Sequence, residues 1–541
     1  MTSHPNTGPR GRPAWLTSPR PLSWGNARPP SPVRIYMIER SCIAGVDIGT
    51  SSVKVLVVDP DGRIVASVSR AYPLVRSDGV NAEQDPDLVV ERTMQALRTV
   101  VDEARRAECR VDAIALSAAM HSLIALDDGG RPRTASITWA DNRAAAQAAH
   151  LRASAEGIEI YRRTGTPIHA MSPLAKLLWF RDEDPDAFKA ACRWVSIKEF
   201  VLLALTGEIL TDHSMASASG LFSLETSQWD TGALDLIGIA AEILPELVPT
   251  THVVERLQPD IASSLTLSER CPVVVGASDG AVANIGAGAL RPGSVVCSIG
   301  TSGAVRATTD RPVTDAEGRL FCYVMGEHRW LVGGPTNNGG SALAWVRASL
   351  FPDLDESDAF AKLDEAAARI PAGARGLMFL PYLLGERAPQ WDSTARAVFF
   401  GLTDRHDRDH MLRAVLEGVA MQLNSVLSLV EEAVGTGADD MRATGGFARM
   451  HSWRRIVAGV FGRRIRFPVS YESSAWGAAV LGMLAMDRID SLDWVEDHLE
   501  FQTDCEPDRL EAEAYARRIE LFEGLYGRLD SAFDDLARID L

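Results

Sequence analysis

The 541-residue chain lacks several patterns by which sequences most readily disclose a function. No apolar run approaches the roughly 18 residues of a membrane-spanning helix, so we predict no contact with a membrane. No stripe of lysine and arginine occurs and the formal net charge is −17, which disfavours nucleic acid as a partner. The seven cysteines form no C-x-x-C pair, which favours reduced thiols in a cytoplasmic protein over disulfides or zinc.

Two common phosphate-binding glycine motifs are also missing. No G-x-x-x-x-G-K-[ST] sequence occurs, which excludes a P-loop, and no G-x-G-x-x-G follows a predicted strand, which leaves a dinucleotide-binding fold without support. The composition is otherwise that of a globular protein, with 46% hydrophobic and 23% charged residues. Any phosphate group must therefore be held by a different arrangement.

A repeated tetrapeptide offers such an arrangement. Ile-Gly-Thr-Ser occurs at residues 48–51 and again at 299–302, each time between segments rich in Val and Ile. This pattern predicts a strand, a tight glycine turn and a second strand. Glycine lets a backbone approach a ligand closely, and neighbouring hydroxyl and N–H groups can bind phosphate oxygens. We therefore predict two similar domains that hold one nucleotide between them. The copies differ in that Asp47 precedes the first and Ser298 the second.

Strands that alternate with helices in both halves indicate an α/β architecture. The clearest helices are predicted at 86–106 and at about 409–434, where apolar residues recur at helical spacing. Strands are predicted at 111–118 and at 272–280. We divide the chain into a Pro/Arg-rich extension at 1–40 that should be disordered, an N-terminal domain at 41–287, a C-terminal domain at 288–495 and a charged helical tail at 496–541. Met37 is a candidate for the true start.

Eight motifs between residues 43 and 490 resemble, in order, those of the FGGY family of carbohydrate kinases: VDIGTSSVK, MHSLIALD, TWADNR, GASDG, SIGTSG, GERAPQWD, TGGFAR and YESSAWGAA. This family shares the ATPase fold of actin and the heat-shock chaperones. The resemblance therefore implies a two-lobed, actin-like (ribonuclease H-like) α/β fold with duplicated domains and a central nucleotide cleft. The strings AMHSLIAL, ITWADNRA and RRTGTPIH are most similar to those of family members that phosphorylate gluconate.

The resemblance also implies roles for individual residues. Asp279, which follows a strand predicted to be buried, would be the general base that accepts the proton of the acceptor hydroxyl. Asp47 would bind Mg²⁺, a cation that prefers one or two carboxylates together with phosphate oxygens and water. The nucleotide-binding residues would be Thr50, Ser51, Ser52 and Lys54 at the first turn, Gly300 and Thr301 at the second, and Gly340 and Gly446 elsewhere in the second domain.

The acceptor is expected in the first domain. The candidate residues are His121, Trp139, Asp141, Asn142, Arg143, Asp279 and Gly280. A sugar acid needs a cation for its carboxylate, and Arg143 suits this because a guanidinium can hold a carboxylate through two hydrogen bonds. Lys198 is a second candidate, although a Lys–Glu pair on a helix surface is the favoured interpretation. Glu386 and Arg387 are expected to brace the two lobes through an ion pair.

The resemblance implies transfer of phosphate from ATP, with Mg²⁺, to a sugar acid, and specifically D-gluconate to 6-phosphogluconate. The expected partners are ATP and the sugar acid, with neither nucleic acid nor membrane, and a homodimer is compatible with the sequence. The lobes should close over both substrates and exclude water. Three alternatives stay open: a kinase for xylulose or another polyol, an ATPase or sensor that needs no sugar, and a catalytically silent ligand-binding relative.

Overall fold

The computed structural model describes residues 40–541 apart from 78, 327, 356–357, 470–472, 503 and 540–541. The extension predicted to be disordered therefore lies outside the described residues, except for Arg40, which begins the first strand. Among the helices described, none combines the length and apolar character that a bilayer crossing requires. All seven cysteines are described, and each is a free thiol.

The first half of the described chain alternates short strands and helices. Its strands are β1 (Arg40–Ile48), β2 (Ser52–Val58), β3 (Ile64–Ala71), β4 (Val75–Ser77), β5 (Asn81–Gln84), β6 (Cys109–Ala118), β7 (Ile124–Leu126), β8 (Ser136–Ile137), β9 (Arg193–Val195), β10 (Leu210–Asp212), β11 (Glu246–Val248), β12 (Val253–Val254) and β13 (Val273–Ser278). Its helices are α1 (Pro86–Arg106), α2 (Ala145–Arg152), α3 (Ala155–Thr164), α4 (Pro173–Glu183), α5 (Pro185–Ala190), α6 (Ile197–Thr206), α7 (His213–Ser217), α8 (Thr231–Ile237), α9 (Pro259–Leu265) and α10 (Asp279–Gly286).

The second half has fewer strands and longer helices. Its strands are β14 (Ser294–Ile299), β15 (Gly303–Thr309), β16 (Phe321–Gly326), β17 (Arg329–Thr336), β18 (Met378–Leu380), β19 (Val398–Phe400) and β20 (Asp440–Thr444). Its helices are α11 (Gly340–Leu350), α12 (Ala359–Arg369), α13 (Arg408–Val434), α14 (His451–Phe461), α15 (Ser473–Ala485), α16 (Trp494–His498) and α17 (Arg509–Ile539).

The two halves repeat one sheet topology, which confirms the predicted duplicated α/β fold. The first sheet has the order β12-β13-β6-β1-β2-β3, in which β1, β2 and β3 form an antiparallel meander and β6 runs parallel to β1. The second has the order β16-β17-β15-β14-β20, in which β14, β15 and β17 are antiparallel neighbours, β16 pairs at the edge and β20 runs parallel to β14. Each repeated Ile-Gly-Thr-Ser thus lies at the hairpin that opens a sheet.

Local sequence signals account for the best-predicted helices. Helix α1 has the predicted bounds because Asp85 caps its N-terminus and Pro86 occupies its first position. Helix α13 begins one residue before the prediction and is capped by Asp407. The tail helix α17 is exposed and charged on one side only, since Tyr515, Phe522 and neighbouring apolar residues pack into the core of the second half.

The two halves are interleaved at helix α15. It follows β20 in the sequence, yet it packs against β1 and α10 of the first half, and its apolar side chains complete a core with Ile43 and Val274. The approach to α10 is so close that a Cβ on Gly477 would lie 2.0 Å from the carbonyl oxygen of Val282. Only glycine allows this contact, which ties the first sheet to the C-terminal part of the chain.

Candidate active site

A cavity of about 300 Å³ lies between the two glycine turns. It is lined by Thr50, Met120, His121, Trp139, Asp279, Ser298, Gly300, Ser302, Gly303, Ala304, Arg306, Phe321, Tyr323, Pro335 and Arg387. Residues from both halves of the chain therefore enclose one space. Of the predicted acceptor residues, His121, Trp139 and Asp279 contribute to its wall, and so do Thr50 and Gly300 of the predicted nucleotide set.

The two turns are similar but not equal in length. In the first, the N–H of Gly49 donates to the carbonyl of Ser52 across four residues, and in the second the N–H of Gly300 donates to Ser302 across three, each at 2.9 Å. The first turn is also tied to an acceptor loop, because the indole N–H of Trp139 donates to the hydroxyl of Thr50 at 2.8 Å. Ser51 is exposed at the tip of this turn, Ser52 begins β2, and Lys54 lies opposite Asp47 in the strand pairing.

The other predicted nucleotide residues gather around the second turn. The N–H of Gly340, at the start of α11, donates to the carbonyl of Gly300 at 2.7 Å, and the carbonyl of Thr301 accepts from the N–H of Gly339 at 3.1 Å. Gly446 follows β20, the parallel neighbour of the strand that ends in this turn. A Cβ on Gly446 would meet no atom within 4 Å, so its backbone faces open space. Backbone N–H groups in such turns form concavities suited to phosphate oxygens.

Asp279 is the first residue of α10, directly after β13, and its carboxylate enters the cavity. Burial raises its pKa, while the nearby charge of Arg306 and a 2.7 Å hydrogen bond from the N–H of Gly280 oppose that rise. The space above Gly280 is filled from both halves, since a Cβ there would lie 3.2 Å from the Met120 side chain and 3.4 Å from Nε of Arg306. Gly280 lies beside the cavity residues Met120 and Arg306 without lining the cavity, and its lack of a side chain allows Arg306 to approach Asp279.

Asp47 is the penultimate residue of β1, which belongs to the same sheet as β13. Burial, and then the negative charge of Asp279, raise its pKa to about 7, although the Ser117 hydroxyl donates to it at 3.3 Å. Two carboxylates thus repel each other in one cleft, an arrangement that a divalent cation would stabilise. Among the described residues no group of three or more His, Cys, Asp or Glu could hold a metal. Mg²⁺ needs only one or two carboxylates when phosphate oxygens and water complete its shell, so these residues fit it.

His121 is held as a neutral hydrogen-bond acceptor. Its ring is buried and its pKa is lowered to about 3, mainly by burial and then by the charge of Lys176. Nδ1 lies 2.8 Å from the carbonyl oxygen of Ala218, which can only accept, so Nδ1 carries the proton and Nε2 is left as an acceptor. The backbone of His121 has φ of +70°, a strained conformation typical of functional positions.

Lys176 joins the two acceptor loops, which are residues 119–123 with His121 and residues 138–144 with Trp139. Its buried ammonium donates to the carbonyls of His121 at 2.5 Å, Thr138 at 2.8 Å and Ile137 at 3.3 Å. These three bonds use all three ammonium donors and fix the backbones that carry His121 and Trp139. No local sequence pattern marks Lys176, because its partners lie far from it in the chain.

A contact outside the cavity involves three of the predicted acceptor residues, Asp141, Asn142 and Arg143. Arg143 donates two hydrogen bonds of 2.8 Å to the fully buried Asp141 and a further, shorter one to Glu83. Asp141 also accepts from the N–H of Ala82 at 2.7 Å, and Asn142 is exposed. None of the three lines the cavity, and the carboxylates around Arg143 accept from its Nε and Nη2. These residues hold the acceptor loop against the strand before α1.

Two interpretations of charged residues were wrong. Lys198 is not on a helix surface; it is 1% exposed, and its ammonium pairs with Asp212. Its neighbour Glu199 completes a capping box with Ser196, a spacing that is readable in the sequence and explains why Glu199 does not pair with Lys198.

The expected ion pair in GERAPQWD is also absent, since no salt bridge among the described residues joins Glu386 to Arg387. Glu386 instead accepts from the backbone N–H groups of Asn337 at 2.6 Å and Arg387 at 2.8 Å. Arg387 donates to the carbonyl of Thr336 at 2.9 Å, and its guanidinium lies 4.7 Å from the ring centre of Trp139. Arg387 therefore contacts the first half of the chain through a cation–π contact.

Arg306 is a cavity residue that the sequence analysis missed. A signal was present: it is the only charged residue in β15, where six of seven positions are buried. A charge in such a strand is rare unless it has a partner or a function.

Comparison with known proteins identifies the family. Residues 42–286 match the model of the N-terminal domain of the FGGY family of carbohydrate kinases, and residues 295–486 match that of its C-terminal domain. The chain belongs to the FGGY family of carbohydrate kinases. It is therefore an enzyme of a family that transfers a phosphoryl group from ATP to a sugar or sugar acid, and the resemblance stated from the motifs is confirmed.

Similarity to individual FGGY kinases extends over nearly the whole chain. The gluconokinase of Bacillus subtilis (strain 168) is 38% identical over 503 residues, which cover 92% of this chain and 98% of that protein. The xylulose kinase of the same organism is 30% identical over 486 residues, covering 90% and 96%.

Solved structures confirm the actin-like fold. A gluconate kinase from Lactobacillus acidophilus has a TM-score of 0.86 and 34% identity, with 92% of this chain and all of that chain covered. A ligand-bound xylulose kinase from the same organism gives the same values, so fold similarity alone does not select the sugar.

Proposed function

We propose that this FGGY kinase phosphorylates D-gluconate at its terminal hydroxyl, with ATP and Mg²⁺, to give 6-phosphogluconate and ADP. The observation that carries the choice of a sugar acid is a pair of guanidiniums: Arg306 and Arg387 both line the cavity. Neither forms a salt bridge within the described part of the chain, although the carboxylate of Asp279 lies near both. The higher identity to a gluconokinase than to a xylulose kinase supports the same choice.

In the proposed reaction Asp279 is the general base. The acceptor oxygen attacks the γ-phosphorus, the bond from that phosphorus to the bridging oxygen of ADP breaks, and the hydroxyl proton passes to the Asp279 carboxylate. Asp279 suits this role because it borders the cavity and because the positive charges of Arg306 and Arg387 favour its ionised form against the effect of burial. The acceptor Nε2 of His121 would orient a substrate hydroxyl.

The nucleotide phosphates would lie between the glycine turns. Thr50, Ser51, Ser52 and Lys54 would contact them from the first half, and Gly300, Thr301, Gly340 and Gly446 from the second. Asp47 would hold Mg²⁺, partly through water, and the bound ion would neutralise charge on the transferring phosphoryl group. The hydrogen bond from Trp139 to Thr50 would couple occupation of the acceptor loop to the position of the first turn.

A panel of acceptors tests the proposal. ADP release should be fast with D-gluconate, at least tenfold slower in kcat/KM with D-xylulose and other neutral sugars or polyols, and negligible without an acceptor. Phosphorus NMR of the product should show a phosphate ester on C6. The specific alternative is a xylulose kinase, since a xylulose kinase from Lactobacillus acidophilus is as similar in structure as the gluconate kinase, and a preference for D-xylulose would establish it. Equal ADP release without any acceptor would instead indicate an ATPase.

A further inference from the structure

We propose that Arg306, from the second half of the chain, binds the carboxylate of the sugar acid and makes the enzyme select acids over neutral sugars. This inference rests on the proposed function, since it names the residue that recognises the acid at that site. It assigns the recognition to a residue outside the acceptor loops, and it replaces Arg143, the cation that the sequence analysis favoured.

Arg306 lies in the wall of the cavity in which the acceptor would bind. It lies on β15, which follows directly from the second glycine turn, and it lines the same cavity as His121, Trp139 and Asp279. Its Nε would be 3.4 Å from a Cβ on Gly280, next to the base. The hydroxyl-binding groups of the first half and the guanidinium of the second half thus face one space of about 300 Å³.

The donors of Arg306 are largely uncommitted. In the described structure its guanidinium makes one hydrogen bond, from Nη1 to the hydroxyl of Ser298 at 3.2 Å, and no salt bridge among the described residues includes it. Ser298 is oriented in turn by Thr444, whose hydroxyl lies 3.0 Å away. A guanidinium has five N–H donors in a planar fork that matches a carboxylate. Four donors therefore remain for a ligand.

The asymmetry of the repeated turns explains why this charge is free. Ser298 precedes the second Ile-Gly-Thr-Ser where Asp47 precedes the first. An aspartate at 298 would form an ion pair with Arg306 and neutralise it. A serine hydroxyl fixes the direction of the guanidinium and leaves its charge available to an anion.

The other two arginines near the acceptor are less available. Arg143 already donates to Asp141 and Glu83. Arg387 donates to the Thr336 carbonyl, stacks on Trp139, and has the buried charge of Glu386 beside it. Arg306 is thus the guanidinium of this site with the most free donors, and we infer that Arg387 assists by keeping the cavity positive.

The experiment compares an acid with neutral molecules of the same carbon chain. D-glucitol replaces the carboxylate of D-gluconate by a hydroxymethyl group, and D-gluconamide replaces it by a neutral amide. kcat/KM for each acceptor is measured for the wild type, Arg306→Gln and Arg306→Lys. Arg405→Gln is the matched control, because Arg405 is an exposed arginine of the same half. Thermal melting of each variant reports whether it is folded.

We expect Arg306→Gln to lower kcat/KM for D-gluconate at least about 100-fold, because a buried carboxylate would lose its charged partner. The value for D-glucitol should fall by a smaller factor, because it reflects only the loss of one of the charges that favour ionised Asp279, so the preference for the acid falls by at least about tenfold. Arg306→Lys should recover part of the gluconate activity, and Arg405→Gln should behave as the wild type.

Equal losses for acid and polyol in Arg306→Gln, with a shifted pH–rate profile, would overturn the inference and leave Arg306 only its effect on the ionisation of Asp279. Gluconate turnover by the wild type would still leave the proposed function standing. A wild type that prefers neutral sugars would overturn both. If Arg306→Gln fails to fold, binding to the wild type decides: D-gluconamide should bind at least 100-fold more weakly than D-gluconate, and equal binding would contradict the inference.

Discussion

At the scale of single residues, the site depends on charges that are buried close together. Burial, and then the negative charge of Asp279, raise the pKa of Asp47 to about 7. Arg306 and Arg387 oppose the effect at Asp279. The two carboxylates therefore differ in environment: Asp279 has guanidiniums nearby, whereas Asp47 is the residue that would bind a hard cation.

The variant Asp47→Asn should bind Mg²⁺ more weakly and should bind gluconate with the affinity of the wild type. We expect the Mg²⁺ concentration for half-maximal rate to rise roughly tenfold or more, by analogy with the loss of other metal-orienting groups. The measurement is the rate of ADP release against free Mg²⁺ at saturating gluconate, together with gluconate affinity by calorimetry. An unchanged Mg²⁺ dependence would remove Asp47 from the metal site.

His169 should make stability sensitive to acid. Burial and the neighbouring charges of Arg387, Arg152 and Lys176 lower its pKa to about 3, and its Nδ1 accepts from the N–H of Met171 at 3.1 Å, which requires an unprotonated nitrogen. Between pH 6.5 and 3 the unfolded chain binds a proton that the folded protein does not. Stability contributed by the neutral ring is therefore lost as pH falls through this range.

The variant His169→Gln keeps an acceptor and removes the titration. Between pH 6.5 and 5.5 the wild type should lose about 1 kcal/mol more unfolding free energy than this variant. Urea unfolding at the two pH values measures the difference. Parallel losses in both proteins would show that His169 titrates alike in the folded and unfolded states.

At the scale of elements, a bulge in β13 directs Asp279 toward the cavity. The pairing with β6 shifts register between Val274 and Ala277, and Gly276 adopts φ of +76° within the shift. A Cβ on Gly276 would lie 1.8 Å from the carbonyl oxygen of Leu116. Bulges turn a strand end toward a new direction, and here the strand ends one residue before Asp279.

Gly276→Ala should damage both stability and rate. We expect a loss of roughly 3 kcal/mol from left-handed strain and the backbone clash, and a kcat lower by about 100-fold because the base is displaced. Gly435→Ala is the matched control: Gly435 has φ of +80°, but no atom lies within 4 Å of the added Cβ. It should cost about 1 kcal/mol and leave kcat unchanged. Equal effects of the two substitutions would refute the role of the bulge.

At the scale of the whole molecule, the reactive space is assembled from both halves of the chain. Arg387 reaches Trp139, Arg306 reaches the space above Gly280, and helix α15 packs on the first sheet. A sugar acid in this cavity would touch both halves, so its binding should favour a closed cleft. A closed cleft limits transfer of the phosphoryl group to water.

Hydrogen exchange should report this closure. D-gluconate with a non-hydrolysable ATP analogue should slow amide exchange in both glycine turns, at 48–52 and 299–303, by about tenfold or more, because opening must then break ligand contacts. Exchange in α17, which lies outside the cavity, serves as the internal control. Protection confined to one turn would mean that the ligands bind to one half only.

The sequence was sufficient to predict those elements whose signals are local. Hairpins followed from glycine turns, α1 from Asp85 and Pro86, and α13 from its apolar period. The motifs that identified the family also led to Asp279, which the structure places in the cavity wall. Roles of Asp279 and the other site residues stay predictions until measured.

Charged residues whose partners are distant in sequence were not predictable in the same way. The pairing of Lys198 with Asp212, the three carbonyls around Lys176 and the stacking of Arg387 on Trp139 depend on tertiary contacts. No pattern of spacing encodes such contacts. For the same reason Arg143 appeared to be a free cation until Asp141 and Glu83 were found around it.

The central claim is that Asp279 accepts the proton of the acceptor hydroxyl, and its most direct test is kcat with D-gluconate for Asp279→Asn, with gluconate affinity measured on the same protein. The account predicts a fall in kcat of about 10²- to 10⁴-fold with affinity changed only a few fold, while Asp260→Asn, an exposed aspartate of the same half, retains the wild-type rate. A folded Asp279→Asn enzyme that keeps more than about a tenth of the wild-type kcat would contradict the account.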